Sequence, residues 1–276
     1  MKPSLVALGV LMLVPIAAAQ EARVSVDELA DDVYLYTYNT HRSLFVATDE
    51  GVLATDPQSV EAARRYVQEI RKITSAPIRY LVYSHHHGDH VSGGAEFDEN
   101  VSVVAQVDVL PHVPGSDGAI RPPDITFTDS ASVYLGDLEV KLIYPGPSET
   151  ASNIIVHVPA RGVAFIVDAV ANRTVPWRDL AGSNPDEWIA ALRALAALDF
   201  DTLAPGHGPV GTKAHVQEYI EYMTTLRDAV QERIAKGQSL EEIQGSLELP
   251  QYAEWVRYDE HFELNIAGMH RELTKP

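Results

Sequence analysis

Ser84-His85-His86-His87-Gly88-Asp89-His90 packs four histidines and one aspartate into seven residues, directly after the apolar run Ile78-Arg79-Tyr80-Leu81-Val82-Tyr83. A strand-forming run that stops at such a cluster places it in a loop at the strand's end. There side chains converge on a point instead of alternating across a sheet. Imidazole and carboxylate are the donors that zinc and similar divalent ions take from proteins. Buried without a cation, the same groups would carry heavy desolvation and repulsion costs. The competing reading, a solvated polar loop, leaves the spacing of the cluster without a reason.

The text around the cluster reads as an α/β layout. Residues 33–38, 43–48 and 52–55 are rich in strand formers, with a turn at Asp49-Glu50-Gly51 between the last two. Residues 59–73 carry apolar side chains at helical spacing after Asp56-Pro57, and the strand at 78–83 follows. Strand, helix, strand and ligand loop is the order in which α/β folds put sites at strand ends. Further strands are expected at 131–135, 138–144, 153–158 and 162–168. Helices are expected at 185–198, introduced by Ser183-Asn184-Pro185, at 213–236 ending on Gly237, from Ser239 with a capping box, and at 261–273. The loop His41 faces either a substrate or solvent. His112 and Arg121, in the proline-rich segment 107–124, and Arg173 and Trp177, in the loop 172–177, are in the same position: substrate contacts or plain loop residues. His157, late in its strand, reads as a structural or surface residue.

Met1-Lys2-Pro3, an apolar stretch to Ile16 and the small residues Ala17-Ala18-Ala19 have the pattern of a secretory signal peptide over residues 1–19. The expected mature chain, 20–276, is one large domain in the periplasm or outside the cell, with no stable membrane insertion after cleavage. There are no cysteines, so neither disulfides nor thiolate ligands exist here. Asp and Glu number 39 against 21 Lys and Arg, which argues against nucleic acid as a partner and leaves a small-molecule substrate.

His85-x-His87-x-Asp89-His90, followed by Val91-Ser92-Gly93-Gly94, resembles the HxHxDH signature of the metallo-β-lactamase superfamily. Gly162–Asp168 resembles the superfamily strand that ends in a metal-bridging aspartate, with Val167 where a glycine usually stands, and Pro205-Gly206-His207-Gly208 resembles the turn that closes metal two. The resemblance implies an αβ/βα sandwich of two mixed sheets between helical layers. It also implies two divalent ions, zinc in most members. His85 and His87 would serve metal one, Asp89, His90 and His207 metal two, and Asp168 would bridge. In Gly146-Pro147-Ser148-Glu149-Thr150 the usual third histidine of metal one is replaced by Glu149, which is similar to the alkylsulfatase branch. Its hard oxygen suits manganese or iron as well as zinc. The implied activity is hydrolysis of an ester, lactone or amide bond, β-lactams included, by a metal-bridging hydroxide that Asp89 helps to orient. Two alternatives stay open. One is an alkylsulfatase-like sulfate ester hydrolase. The other is a weakly catalytic metal-binding accessory protein of a periplasmic oxidation system, suggested by the tail and the Trp188 helix.

Overall fold

The computed structural model describes residues 22–114, 120–180 and 183–275. The leader-like residues 1–19 lie outside these. Seven strands form the first sheet, in the order β1 (Val24–Ala30), β2 (Val33–Tyr38), β3 (His41–Thr48), β4 (Gly51–Thr55), β5 (Ile78–Val82), β6 (Ser102–Gln106) and β7 (Ile125–Phe127). β1 to β4 run antiparallel and β4 to β7 parallel. The second sheet takes β8 (Ser130–Leu135), β9 (Leu138–Ile143), β10 (Ile155–Val158), β11 (Val163–Ile166) and β12 (Thr202–Pro205). Its first four strands are antiparallel, and β12 pairs parallel with β11. The helices are α1 (Val60–Ile73), α2 (Gly88–Val91), α3 (Pro185–Ala197), α4 (Lys213–Ala235), α5 (Leu240–Gln244) and α6 (Tyr258–Leu273).

Period-two alternation divides the core into three layers of contact. Val33, Leu35, Leu44 and Val46 face Val140, Leu142, Val156 and Phe165 of the second sheet, so the two sheets pack face to face. The alternate residues Tyr36, Phe45 and Val52 turn the other way, onto Ala63, Tyr66 and Ile70 of α1. On the far side, Ile155, Ala164 and Ile166 meet Trp188 and Leu192 of α3, Tyr219 and Met223 of α4 and Ile266 of α6. The result is the helix–sheet–sheet–helix sandwich expected from the sequence.

Local signals set most boundaries. Ser59 caps α1 through Ala62 N, Asn184 caps α3 through Asp186 N and Glu187 N, and Ser239 with Glu242 closes the capping box of α5. Val60, expected on the buried face of α1, is 41% exposed; Tyr66 fills that face instead. The last helix starts three residues earlier than the expected 261, at Tyr258. His157 is buried and hydrogen-bonds the Asp199 carbonyl through Nε2 at 2.9 Å.

Two parallel pairs fix where a site can form. β4 beside β5, and β11 beside β12, bring four strand carboxyl ends to one edge of the sandwich. Loops leaving those ends carry Asp56, Ser84–His90, Asp168 and His207.

Candidate metal centre

Each loop at this edge is held before its side chain reaches the site. The His85 loop is tied to the Glu149 loop by Ile154 N to Ser84 O at 2.9 Å. Asn153 is fully buried. It accepts Thr150 N at 2.7 Å and donates to Val167 O at 2.9 Å, linking the Glu149 turn to the strand that ends at Asp168. Trp188 Nε1 donates to Ala169 O at 2.8 Å from below. Asp168 has φ of 59°, left-handed backbone that aspartate tolerates better than most residues and that is typical of strained functional positions. Val167, standing where the superfamily usually has glycine, packs between the sheets. It is accommodated because its neighbour is Gly206: a Cβ there would lie 2.5 Å from Val167 Cγ1.

The side chains fall into two groups whose donor atoms all lie within 4.8 Å of one another. The first is His85, His87, Glu149 and Asp168. Ser84 Oγ pairs with His85 Nδ1 at 2.8 Å, which turns Nε2 toward Asp168 Oδ2 at 3.2 Å. His87 Nδ1 is 3.3 Å from the same oxygen and 3.8 Å from Glu149 Oε2. The second is His41, Asp89, His90 and His207. His90 Nε2 lies 3.3 Å from His207 Nε2 and 3.7 Å from Asp89 Oδ2, and His41 Nε2 lies 3.0 Å from that oxygen. Asp168 Oδ1, 3.1 Å from His207 Nε2, reaches from the first group into the second.

These spacings suit cations. A zinc ion about 2.0–2.2 Å from each donor sets tetrahedral donors roughly 3.3–3.6 Å apart. His85 Nε2 and Glu149 Oε2 are also buried without an aligned hydrogen bond, which is costly unless a cation takes their lone pairs. The electrostatics agree. Burial pushes the Glu149 carboxyl up to about 7, with Asp168 and Asp89 adding to the rise against His87. Burial pushes Asp168 up too, but the close imidazoles of His207, His85 and His87 outweigh it and hold the group well below the usual carboxylate range. Burial lowers His90 to about 3, which keeps a neutral, donor-competent ring. The hydrogen bond from His41 holds Asp89 low against the upward push of burial, with His90 adding to the lowering.

Of the residues singled out in the sequence, seven converge here: His85, His87, Asp89, His90, Glu149, Asp168 and His207. His41 joins them, and Trp177 lines the adjoining cavity of about 570 Å³. His112, Arg121 and Arg173, proposed as substrate contacts, lie away from it. His112 stacks on His86 at 3.5 Å, and His86 in turn pairs with Ser152 Oγ at 2.8 Å. Arg121 clamps the carbonyls of Asp98, Glu99 and Val101, and Arg173 pairs with Glu218 at 3.0 Å. The guanidinium groups of Arg121 and Arg173 are thus engaged by the protein itself. Three contributors went unnoticed. Asp56 is fully buried and pushed up to about 8 by burial; it accepts Ser84 N at 2.8 Å and lies 4.0 Å from His90 Nδ1. Tyr219 and Arg257 reach the cavity from α4 and from the turn before α6. Nothing local in the sequence marks them.

The metallo-β-lactamase superfamily model matches residues 43–207, more than half of the chain and every loop of the centre except the His41 turn. The chain belongs to the metallo-β-lactamase superfamily. Its curated superfamily relatives include the α subunit of 2,4-dinitroanisole O-demethylase from Nocardioides sp. (strain JS1661). That protein is 27% identical over 196 residues, covering 68% of this chain and 58% of the relative. A linear primary-alkylsulfatase from Pseudomonas sp. (strain ATCC 19151) is 24% identical over 261 residues, covering 74% and 49%. The chain thus spans about half the length of these superfamily relatives. Among solved structures, a stereoselective inverting sec-alkylsulfatase from Pseudomonas sp. superposes with a TM-score of 0.76 at 15% identity, over 91% of this chain and 50% of that one. At that identity the superposition speaks for the superfamily fold alone.

Proposed function

We propose that the chain is an exported hydrolase of small molecules that works with two divalent metal ions, zinc foremost, on an ester, lactone or amide bond. The observation that carries this reading is the pair of donors buried without an aligned hydrogen bond, His85 Nε2, 3.2 Å from Asp168 Oδ2, and Glu149 Oε2, 3.8 Å from His87 Nδ1. His85, His87 and Glu149 would hold metal one, Asp89, His90 and His207 metal two, and Asp168 would bridge. When bound, the ions supply a water of lowered pKa and polarise the scissile group. The protein does the rest. Asp56 sits beneath His90, its Oδ2 4.0 Å from the ring's Nδ1. Asp89 presents an oxygen, held ionised, beside the reacting position. Val170, Val175, Pro176, Trp177 and Val256 offer an apolar wall for an acyl or alkyl portion. The signal-like residues 1–19 support export.

A second reading, hydrolysis of sulfate esters, is favoured by Glu149 at metal one together with Arg257, the one Lys or Arg among the described residues lining the cavity. Its guanidinium sits 4.6 Å over the Trp177 ring, and an anionic head group would find it there.

Metal analysis by mass spectrometry on wild type and Glu149→His, beside a hydrolysis screen, tests both readings. Two ions per chain with turnover of carboxylic esters, lactones or lactams supports the first; turnover confined to sulfate esters selects the second. No bound ion, or one ion that becomes two only in Glu149→His, overturns the two-metal assignment and favours the accessory-protein reading. Uptake at metal one should strengthen as pH rises toward 7, because Glu149 is protonated below about 7 and must lose its proton to bind. In Glu149→Gln the number of protons released per chain on metal uptake should fall by about one near pH 5.5 and by about half a proton at pH 7.

A further inference from the structure

His41 is held against the second donor group by main-chain bonds on both of its sides. It opens β3 after a two-residue turn in which Asn39 takes φ of 56°, and it pairs with Tyr38 across the hairpin. Just before it, the Thr40 carbonyl accepts His207 Nδ1 at 3.0 Å. Just after it, Arg42 N donates to Gly206 O at 2.9 Å. The hairpin tip of the first sheet is thereby latched to the His207 turn of the second, and the part-exposed His41 lies beside that latch. Its Nδ1 lies 3.4 Å from Thr40 Oγ1, which leaves Nε2 for the site, 3.0 Å from Asp89 Oδ2. The imidazole ring centres are 4.7 Å from His207 and 5.4 Å from His90.

We propose that His41 is an additional protein donor to the second metal ion, joining Asp89, His90 and His207 beside the shared Asp168; this rests on the two-metal reading above. Structural zinc sites are closed by protein donors, whereas a catalytic site keeps a position open; with Asp168 shared, the second ion would have five protein donors and the first four. The two ions then have different work. The second is enclosed and retained, and it braces the hairpin against the His207 turn. The first, with one protein donor fewer, would be the ion at which water and substrate exchange. The rival role for His41 is a hydrogen-bond donor that only orients the Asp89 carboxylate.

Zinc titrations of the chelator-treated wild type, His41→Ala and His41→Gln against a competing chromophoric chelator separate the two roles. Glutamine keeps an N–H donor toward Asp89 but is a poor zinc ligand. As a ligand, His41 should cost the tighter constant more than the roughly 10–100-fold typical of an outer-shell partner, equally in both variants, with the weaker constant unchanged. The visible spectrum of the first equivalent of cobalt(II) should change in both variants as well. Wild-type tight binding and cobalt spectrum in His41→Gln would overturn the proposal while leaving the two-metal reading intact. A wild type that binds no zinc would overturn both. His41 is part-exposed at a hairpin tip, and far-ultraviolet circular dichroism of each variant verifies that the fold persists.

Discussion

Asp168→Ala is expected to lose both metal ions and all measurable hydrolysis, the largest single effect on function. Its carboxylate lies 3.2 Å and 3.3 Å from His85 and His87 and 3.1 Å from His207, so it belongs to both donor groups at once. Loss of an outer-shell partner costs about 10–100-fold in affinity or activity; a residue shared by two ions should compound such losses to roughly a thousandfold or more. Inductively coupled plasma mass spectrometry and kcat/KM, measured on the same preparation, test this directly; a variant that retains two ions and turns over would remove Asp168 from the bridge. The protein stripped by chelator gives a second readout. Asp168 is held far below its ordinary carboxylate value, so its stabilisation is fully present above the unfolded value of 3.8 and fades as pH falls through the lower folded value. The gap in thermal midpoint between wild type and Asp168→Ala should therefore be wide at neutral pH and shrink in strong acid. Asp168→Asn keeps the volume and removes the charge, and it should behave like alanine in metal content.

Asn265→Leu should give the largest loss of stability. Asn265 is fully buried in α6. Its Oδ1 accepts the Tyr222 hydroxyl at 2.7 Å, and its Nδ2 donates to the carbonyls of Pro176 and Arg178. Leucine fills the space but leaves the buried Tyr222 hydroxyl and Pro176 carbonyl and the part-buried Arg178 carbonyl unpaired, at about 1–3 kcal/mol for each buried group and about 3–5 kcal/mol in total. Pro176 and Trp177 line the cavity, so the substrate wall loosens with the fold, and KM should rise more than kcat falls. Tyr222→Phe removes only one of the three bonds and should cost about 1 kcal/mol. Urea unfolding of both variants decides; equal losses would mean that the two carbonyls find other partners.

What local chemistry encodes was readable without a structure. The His85–His90 cluster, the Pro205–Gly208 turn and the caps at Ser59, Asn184 and Ser239 all act through neighbours a few residues away. Local patterns left out four strands, β1, β6, β7 and β12, and the first two show why pattern reading stops. β1 is an edge strand containing Asp27-Glu28-Leu29, half solvated and without clean alternation, and β6 has only five residues, Ser102-Val103-Val104-Ala105-Gln106. Both are made strands by the partners they pair with.

By itself, then, the sequence determined that histidines and acids would gather at strand ends of an α/β sandwich, and it named seven of the side chains that meet there. Only the tertiary structure decided their company. His41 reaches Asp89 across 48 residues because its hairpin is bonded to a turn of the opposite sheet, Asp56 lies under His90 because β4 and β5 run side by side, and Arg121 is diverted because three carbonyls claim it first. Donor type is a property of a residue, but distance to a common point is set by long-range strand pairing and loop docking, which no short window of the chain contains.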